Sequence, residues 1–124
     1  MTGRRLLPAL HEVGLPFCLD FGHAHLNGVL EEFLAAGKPL HVHLHDNDGS
    51  GDAHQALGSG KIDYLRVLSL LPRNASRIVE VQALEAYDES VRFMAEAEKR
   101  SQERGEVLRQ RSAASRADMP GTAI

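Results

Sequence analysis

The sequence predicts an α/β fold with three parallel strands and flanking helices. Short apolar runs alternate along the chain with stretches of helical periodicity, the pattern that gives parallel strands joined by crossover helices. No hairpin turn signal separates the strand-like runs, and the spacing between them is too long for a meander. Each strand also carries a ligand-type residue at or near its C-terminal end: Asp20, His43 and Glu80. Parallel α/β proteins build their sites on that rim.

The elements follow in order. Residues 3–13 read as a helix closed by Gly14, and residues 15–20 (Leu-Pro-Phe-Cys-Leu-Asp) as a buried strand ending in a carboxylate. Asn27 is expected to cap a helix over 28–36, with Gly37 as its stop. Residues 38–45 form the middle strand, and a polar loop with Gly49, Gly51, Gly58 and Gly60 spans 46–61. Asp63 caps a helix carrying Leu65, Leu68 and Leu71 at helical spacing, which Pro72 ends. Residues 77–82 form the third strand. A last helix opens at Asp88 or Ser90 and runs to about residue 104, and residues 105–124 read as a disordered tail.

The middle strand carries the strongest chemical signal. In Leu40-His41-Val42-His43-Leu44-His45 the histidines share one face and the aliphatic residues the other. An imidazole row facing a core is costly unless something pairs with it, and a metal ion or polar substrate would do so. His43 is the best ligand candidate; His41 lies deeper as a support, and His45 is expected to turn toward the loop. Asp20 and His23 form an O/N pair across a glycine turn, and Asp52-Ala53-His54 puts two ligand types on one side of an extended loop. Glu80 sits in an apolar strand, where a carboxylate needs a partner. Gly58-Ser59-Gly60 before a helix start offers backbone amides to a phosphate or makes a plain tight turn.

Composition bounds the rest. With 124 residues, 43% hydrophobic and 25% charged, the chain has room for one domain or part of one. No apolar run reaches the roughly 18 residues of a membrane span, and the N-terminus shows no signal-peptide pattern. The single cysteine, Cys18, cannot form an internal disulfide, so a cytoplasmic location is expected. Net charge is −3. The acidic residues concentrate before Lys99 and a basic excess follows, so the body suits a cation and not nucleic acid.

Taken in order, Cys18-Leu19-Asp20-Phe21-Gly22-His23-Ala24-His25, His43-Leu44-His45-Asp46-Asn47, residues 52–63 and Ile78-Val79-Glu80-Val81 resemble the second half of the xylose isomerase-like TIM-barrel superfamily. That superfamily holds sugar phosphate isomerases and epimerases and the endonuclease IV type of apurinic-site nuclease. The resemblance covers residues 4–97. It implies a partial (β/α)8 barrel contributing strands six to eight, with 1–104 as the barrel half. It also implies a divalent metal ion (Mn²⁺, Mg²⁺, Co²⁺ or Zn²⁺) on Asp20, His43 and Glu80, with His23, Asp52 and His54 as further ligands. Glu80 and His23 are the implied catalytic residues. The implied chemistry is aldose–ketose isomerisation or epimerisation of a sugar or sugar phosphate through a metal-bound enediolate.

Two departures qualify the resemblance. A whole barrel takes about 250 residues, and the superfamily's further metal-binding glutamate comes from strand five, which lies before the matched region. A partner chain or self-association is therefore expected to complete the barrel, and the chain alone is expected to be inactive or weak. Asp52 and His54 also stand where isomerases often carry Glu and Arg, nearer the nuclease pattern. A zinc-dependent apurinic-site endonuclease and a non-catalytic truncated fragment are the alternatives.

Overall fold

The computed structural model describes residues 3–121. Its order is α1 (Gly3–Glu12), β1 (Cys18–Asp20), α2 (Phe21–Leu26), α3 (Leu30–Ala36), β2 (His41–Leu44), α4 (Tyr64–Leu70), β3 (Ser76–Val79) and α5 (Leu84–Ala117). The three strands form one parallel sheet in the order β1-β2-β3. The register pairs Cys18 with His41, Asp20 with His43, and His43 with Ile78.

Alternation along β2 sorts the two faces. Val42 and Leu44 are wholly buried and join Leu19, Phe21, Leu57, Tyr64 and Val67 in the core between the sheet and its helices. Phe21 and Tyr64 anchor it, their ring centroids 6.1 Å apart. Burying each aliphatic side chain stabilises the fold by about 1.5–3 kcal/mol. The opposite face carries Cys18, Asp20, His41, His43, Ser76 and Ile78 and is open, with Ile78 43% exposed. His41 and His43 therefore lie on the face away from the core, whereas His45, past the strand end, is fully buried.

Several boundaries differ from those read in the sequence. A short helix, α2, starts directly after β1, because Asp20 acts as its N-cap and accepts from the His23 amide at 2.8 Å. Asn27 closes that helix instead of opening the next, its Nδ2 donating to the His23 carbonyl at 2.8 Å. Val29 takes the N-cap position of α3 without a side-chain hydrogen bond. Asp63 does cap α4, accepting from the Arg66 amide. α5 begins at Leu84, earlier than Asp88, and continues past Gly105 to Ala117. A glycine inside a helix costs about 1 kcal/mol relative to alanine without ending it. Ion pairs Arg100–Glu96 and Arg109–Glu106 flank this one at helical spacing. Residues 105–117, read as tail, are thus helical, and side chains beyond Ala97 are exposed apart from half-buried Gly105. Residues 122–124 of the expected tail lie outside the described residues.

Candidate metal centre

The C-terminal rim of the sheet gathers Asp20, His23, His43, His45, Asp52, His54 and Glu80. Asp20 ends β1 and meets three groups. Its Oδ1 accepts from His45 Nε2 at 3.0 Å and from the His23 amide, and its Oδ2 lies 3.0 Å from His23 Nδ1. Burial pushes the Asp20 carboxyl up, but these hydrogen bonds outweigh it and hold the group below the usual carboxylate range. On the neighbouring strand His43 Nδ1 sits 3.0 Å from Glu80 Oε1 and 3.9 Å from Asp20 Oδ2. Glu80 follows β3, where its amide donates to the Leu44 carbonyl at 2.9 Å.

The loop after β2 folds back over this rim. Asp52 Oδ2 lies 3.1 Å from His23 Nε2, and Asp52 Oδ1 lies 3.2 Å from His54 Nε2. Held between Asp20 and Asp52, His23 has its pKa raised, the hydrogen bond to Asp52 being the main cause. His54 adopts a left-handed backbone at φ 45°, uncommon outside glycine and found where the surroundings enforce it. Its Nδ1 reaches the Glu80 carbonyl at 2.8 Å.

His45, expected to turn toward the loop, lies instead within the cluster. It is fully buried, stacks on His54 and touches Asp20. The available signal was its parity with His41 and His43, which already put it on their face. His41 stays apart from the rim, with Nδ1 on Ser76 Oγ at 2.5 Å.

Buried polar groups beneath the rim hold the loop. Asp46 is completely buried and accepts four backbone amides, from Asn47, Gly58, Gly60 and Ile62, at 2.9–3.2 Å. The Gly58 and Gly60 amides are therefore committed to an internal carboxylate, which makes Gly58-Ser59-Gly60 a turn and not a phosphate cradle. A Cβ at Gly60 would strike Asp46, and one at Gly22 would strike the His45 ring. Asn47 Nδ2 donates to the Gly22 carbonyl at 3.1 Å, and Tyr64 Oη donates to the His45 carbonyl at 2.7 Å. Burial drives the Tyr64 phenol far above its ordinary value.

Proton accounting shows what the cluster suits. A carbonyl only accepts, so His54 Nδ1 donates to the Glu80 carbonyl, and its Nε2 stands 3.2 Å from Asp52 Oδ1. His45 donates Nε2–H to the Asp20 carboxylate, and its other ring nitrogen is Nδ1. That atom is the one buried side-chain nitrogen or oxygen among the described residues with no hydrogen-bond partner, and it faces Asp52 Oδ1 at 3.9 Å. These two ring nitrogens and the Asp52 carboxylate oxygen converge on one point, an arrangement that a cation placed between them would satisfy. The ligating atoms of His23, His45, Asp52 and His54 lie within 4.8 Å of one another, as do those of Asp20, His45 and Glu80. Nitrogen and oxygen donors in such numbers fit a divalent metal ion.

No protein-family model matches the chain. Two uncharacterized proteins of Methanocaldococcus jannaschii resemble it. One is 40% identical over 70 residues, covering 55% of this chain and 28% of the relative. The other is 38% identical over 79 residues, covering 57% and 27%. The chain thus spans less than a third of the length of these curated relatives. Among solved structures, a D-tagatose 3-epimerase-like protein superposes with a TM-score of 0.71 at 27% identity, covering 83% of this chain and 43% of that one. The fold is accordingly epimerase-like, and its three parallel strands are consistent with part of a TIM barrel. No helix among the described residues is long and apolar enough to cross a membrane.

Proposed function

We propose that the chain supplies strands six to eight of a (β/α)8 barrel and the metal-holding side of a sugar isomerase or epimerase site. The observation that carries this reading is the convergence of His45 Nδ1, which has no hydrogen-bond partner, and His54 Nε2 on Asp52, beside Asp20, His43 and Glu80. The likeness to a D-tagatose 3-epimerase-like protein supports the choice of a sugar, or sugar phosphate, as substrate. The candidate ligands are Asp20, His23, His43, Asp52, His54 and Glu80, joined by His45, and they offer an ion two alternative seats: His23, His45, Asp52 and His54, or Asp20, His45 and Glu80 with His43 beside them. When bound, a divalent ion polarises neighbouring carbonyl and hydroxyl oxygens of a sugar.

The chain's own groups then have distinct work. Glu80, half-exposed at the strand end, offers a carboxylate to carry a proton between adjacent carbons. His23 is the exposed imidazole of the rim and the group placed to meet a substrate hydroxyl. The open inner face needs cover to exclude water, and a second copy or a partner chain bearing the remaining strands would provide it. Deuterium exchange at C3 of a ketohexose in D₂O, followed by NMR with Mn²⁺ present, tests the reading. Exchange that appears with barrel closure and is lost in Glu80→Gln is expected. Full-rate exchange by the isolated monomer, or none in any closed assembly, would contradict it.

The three imidazoles and one carboxylate of His23, His45, Asp52 and His54 also suit zinc, which favours a second reading as an apurinic-site phosphodiesterase. The acidic body argues against a DNA backbone as partner. Metal analysis separates the readings: several tightly held zinc ions favour the nuclease, and one exchangeable Mn²⁺ or Mg²⁺ the isomerase.

A further inference from the structure

One residue layer below the carboxylates, the open face of the sheet holds a second donor set that the proposed reaction does not use as such. Cys18 and His41 are register partners on β1 and β2, and His43 lies two residues further along β2 on the same face. The thiol sulfur and one ring nitrogen from each histidine lie within 4.8 Å of one another. The two rings meet edge to face, centroids 5.3 Å apart and planes at 79°. Both imidazoles are already oriented through Nδ1, His41 on Ser76 Oγ at 2.5 Å and His43 on Glu80 Oε1 at 3.0 Å. Metal-binding histidines characteristically use one nitrogen for such a support and the other for the ion. Paired parallel strands fix these positions through the backbone, so the set does not depend on a mobile loop.

We propose that Cys18, His41 and His43 form a site for a soft or borderline divalent cation of the Zn²⁺, Co²⁺ or Cd²⁺ class. Thiolate and imidazole ligands select those ions over Mg²⁺ and Mn²⁺, which suit the carboxylates above. Three protein ligands leave a fourth, solvent-facing position in tetrahedral geometry. Binding forms an S–metal bond and releases the thiol proton to solvent. Because His43 Nδ1 also lies 3.0 Å from Glu80 Oε1, a soft ion here couples this site to the carboxylates above. The proposal does not depend on the isomerase reading, since the upper set contains no sulfur.

Cys18 is the chain's only cysteine, so a thiolate signature has one source. Metal-free 124-residue chain titrated with Co²⁺ should develop a thiolate-to-cobalt charge-transfer band that saturates at one ion per chain. Cys18→Ser should abolish the band, His41→Ala should weaken affinity by about tenfold or more, and His54→Ala should keep it. In parallel, Zn²⁺ should protect Cys18 from alkylation by iodoacetamide, followed by intact mass. No charge-transfer band at saturating Co²⁺, a band that survives in Cys18→Ser, or an alkylation rate indifferent to Zn²⁺ would each overturn the site.

Discussion

The imidazole of His45 lies flat on that of His54, ring centroids 3.8 Å apart and planes 6° from parallel. The stack sets both rings beside Asp52, with His54 Nε2 3.2 Å and His45 Nδ1 3.9 Å from Asp52 Oδ1. Truncating either ring removes one donor. In a Cys18→Ser background, His45→Ala and His54→Ala should each weaken Zn²⁺ binding by about 10- to 100-fold in calorimetric titration. Unchanged affinity in both variants would remove this pair from the centre.

The loop that carries Asp52 and His54 hangs on Asp46. Its buried carboxylate satisfies four amides, and an amide side chain in its place would turn a donor toward donors. Asp46→Asn should cost about 2–4 kcal/mol of unfolding free energy in urea and weaken metal binding as the loop loosens. A change under about 0.5 kcal/mol, the size of an ordinary surface substitution, would contradict the role.

Tyr64 predicts the alkaline limit of stability. Its folded pKa is raised, by burial first and the Asp46 carboxylate second, so the neutral phenol is the folded form. A raised folded pKa contributes stability that is present below the unfolded value of about 10 and is lost as pH climbs past it. Thermal midpoints should therefore fall between about pH 9 and pH 11. In Tyr64→Phe that slope should flatten, at a cost of about 1–3 kcal/mol for leaving the His45 carbonyl unpaired. An equal alkaline slope in both proteins would show that another group sets it.

The sheet ends in two edge strands, β1 and β3, and its inner face leaves Ile78 exposed beside Cys18 and Ser76. Unpaired parallel edges next to an open face associate. Sedimentation over a hundredfold range of concentration should show reversible self-association. A strictly monomeric chain across that range would leave closure to a different partner.

Much of this was legible in the residues. Period-two alternation gave β2 its faces, and the polar strand ends located the rim, because both depend on local pattern alone. Asp63 was readable as a cap because side-chain and helix signal adjoin. His45 was misplaced because its role depends on a long-range hydrogen bond to Asp20 and a stack with His54, neither of which spacing encodes. The Gly58 and Gly60 amides looked available for the same reason: their acceptor, Asp46, lies 12 and 14 residues away in sequence. The far end of α5 was missed because it is exposed along its length and shows no apolar stripe to read.

In the proposed site a divalent cation sits where His45 Nδ1, His54 Nε2 and Asp52 Oδ1 converge. Crystals of the chain grown with Zn²⁺ or Mn²⁺ and measured at the metal's absorption edge test it directly. An anomalous peak bonded to Asp52 and to at least two of His23, His45 and His54 is expected. Saturating metal with no peak on that rim would contradict it.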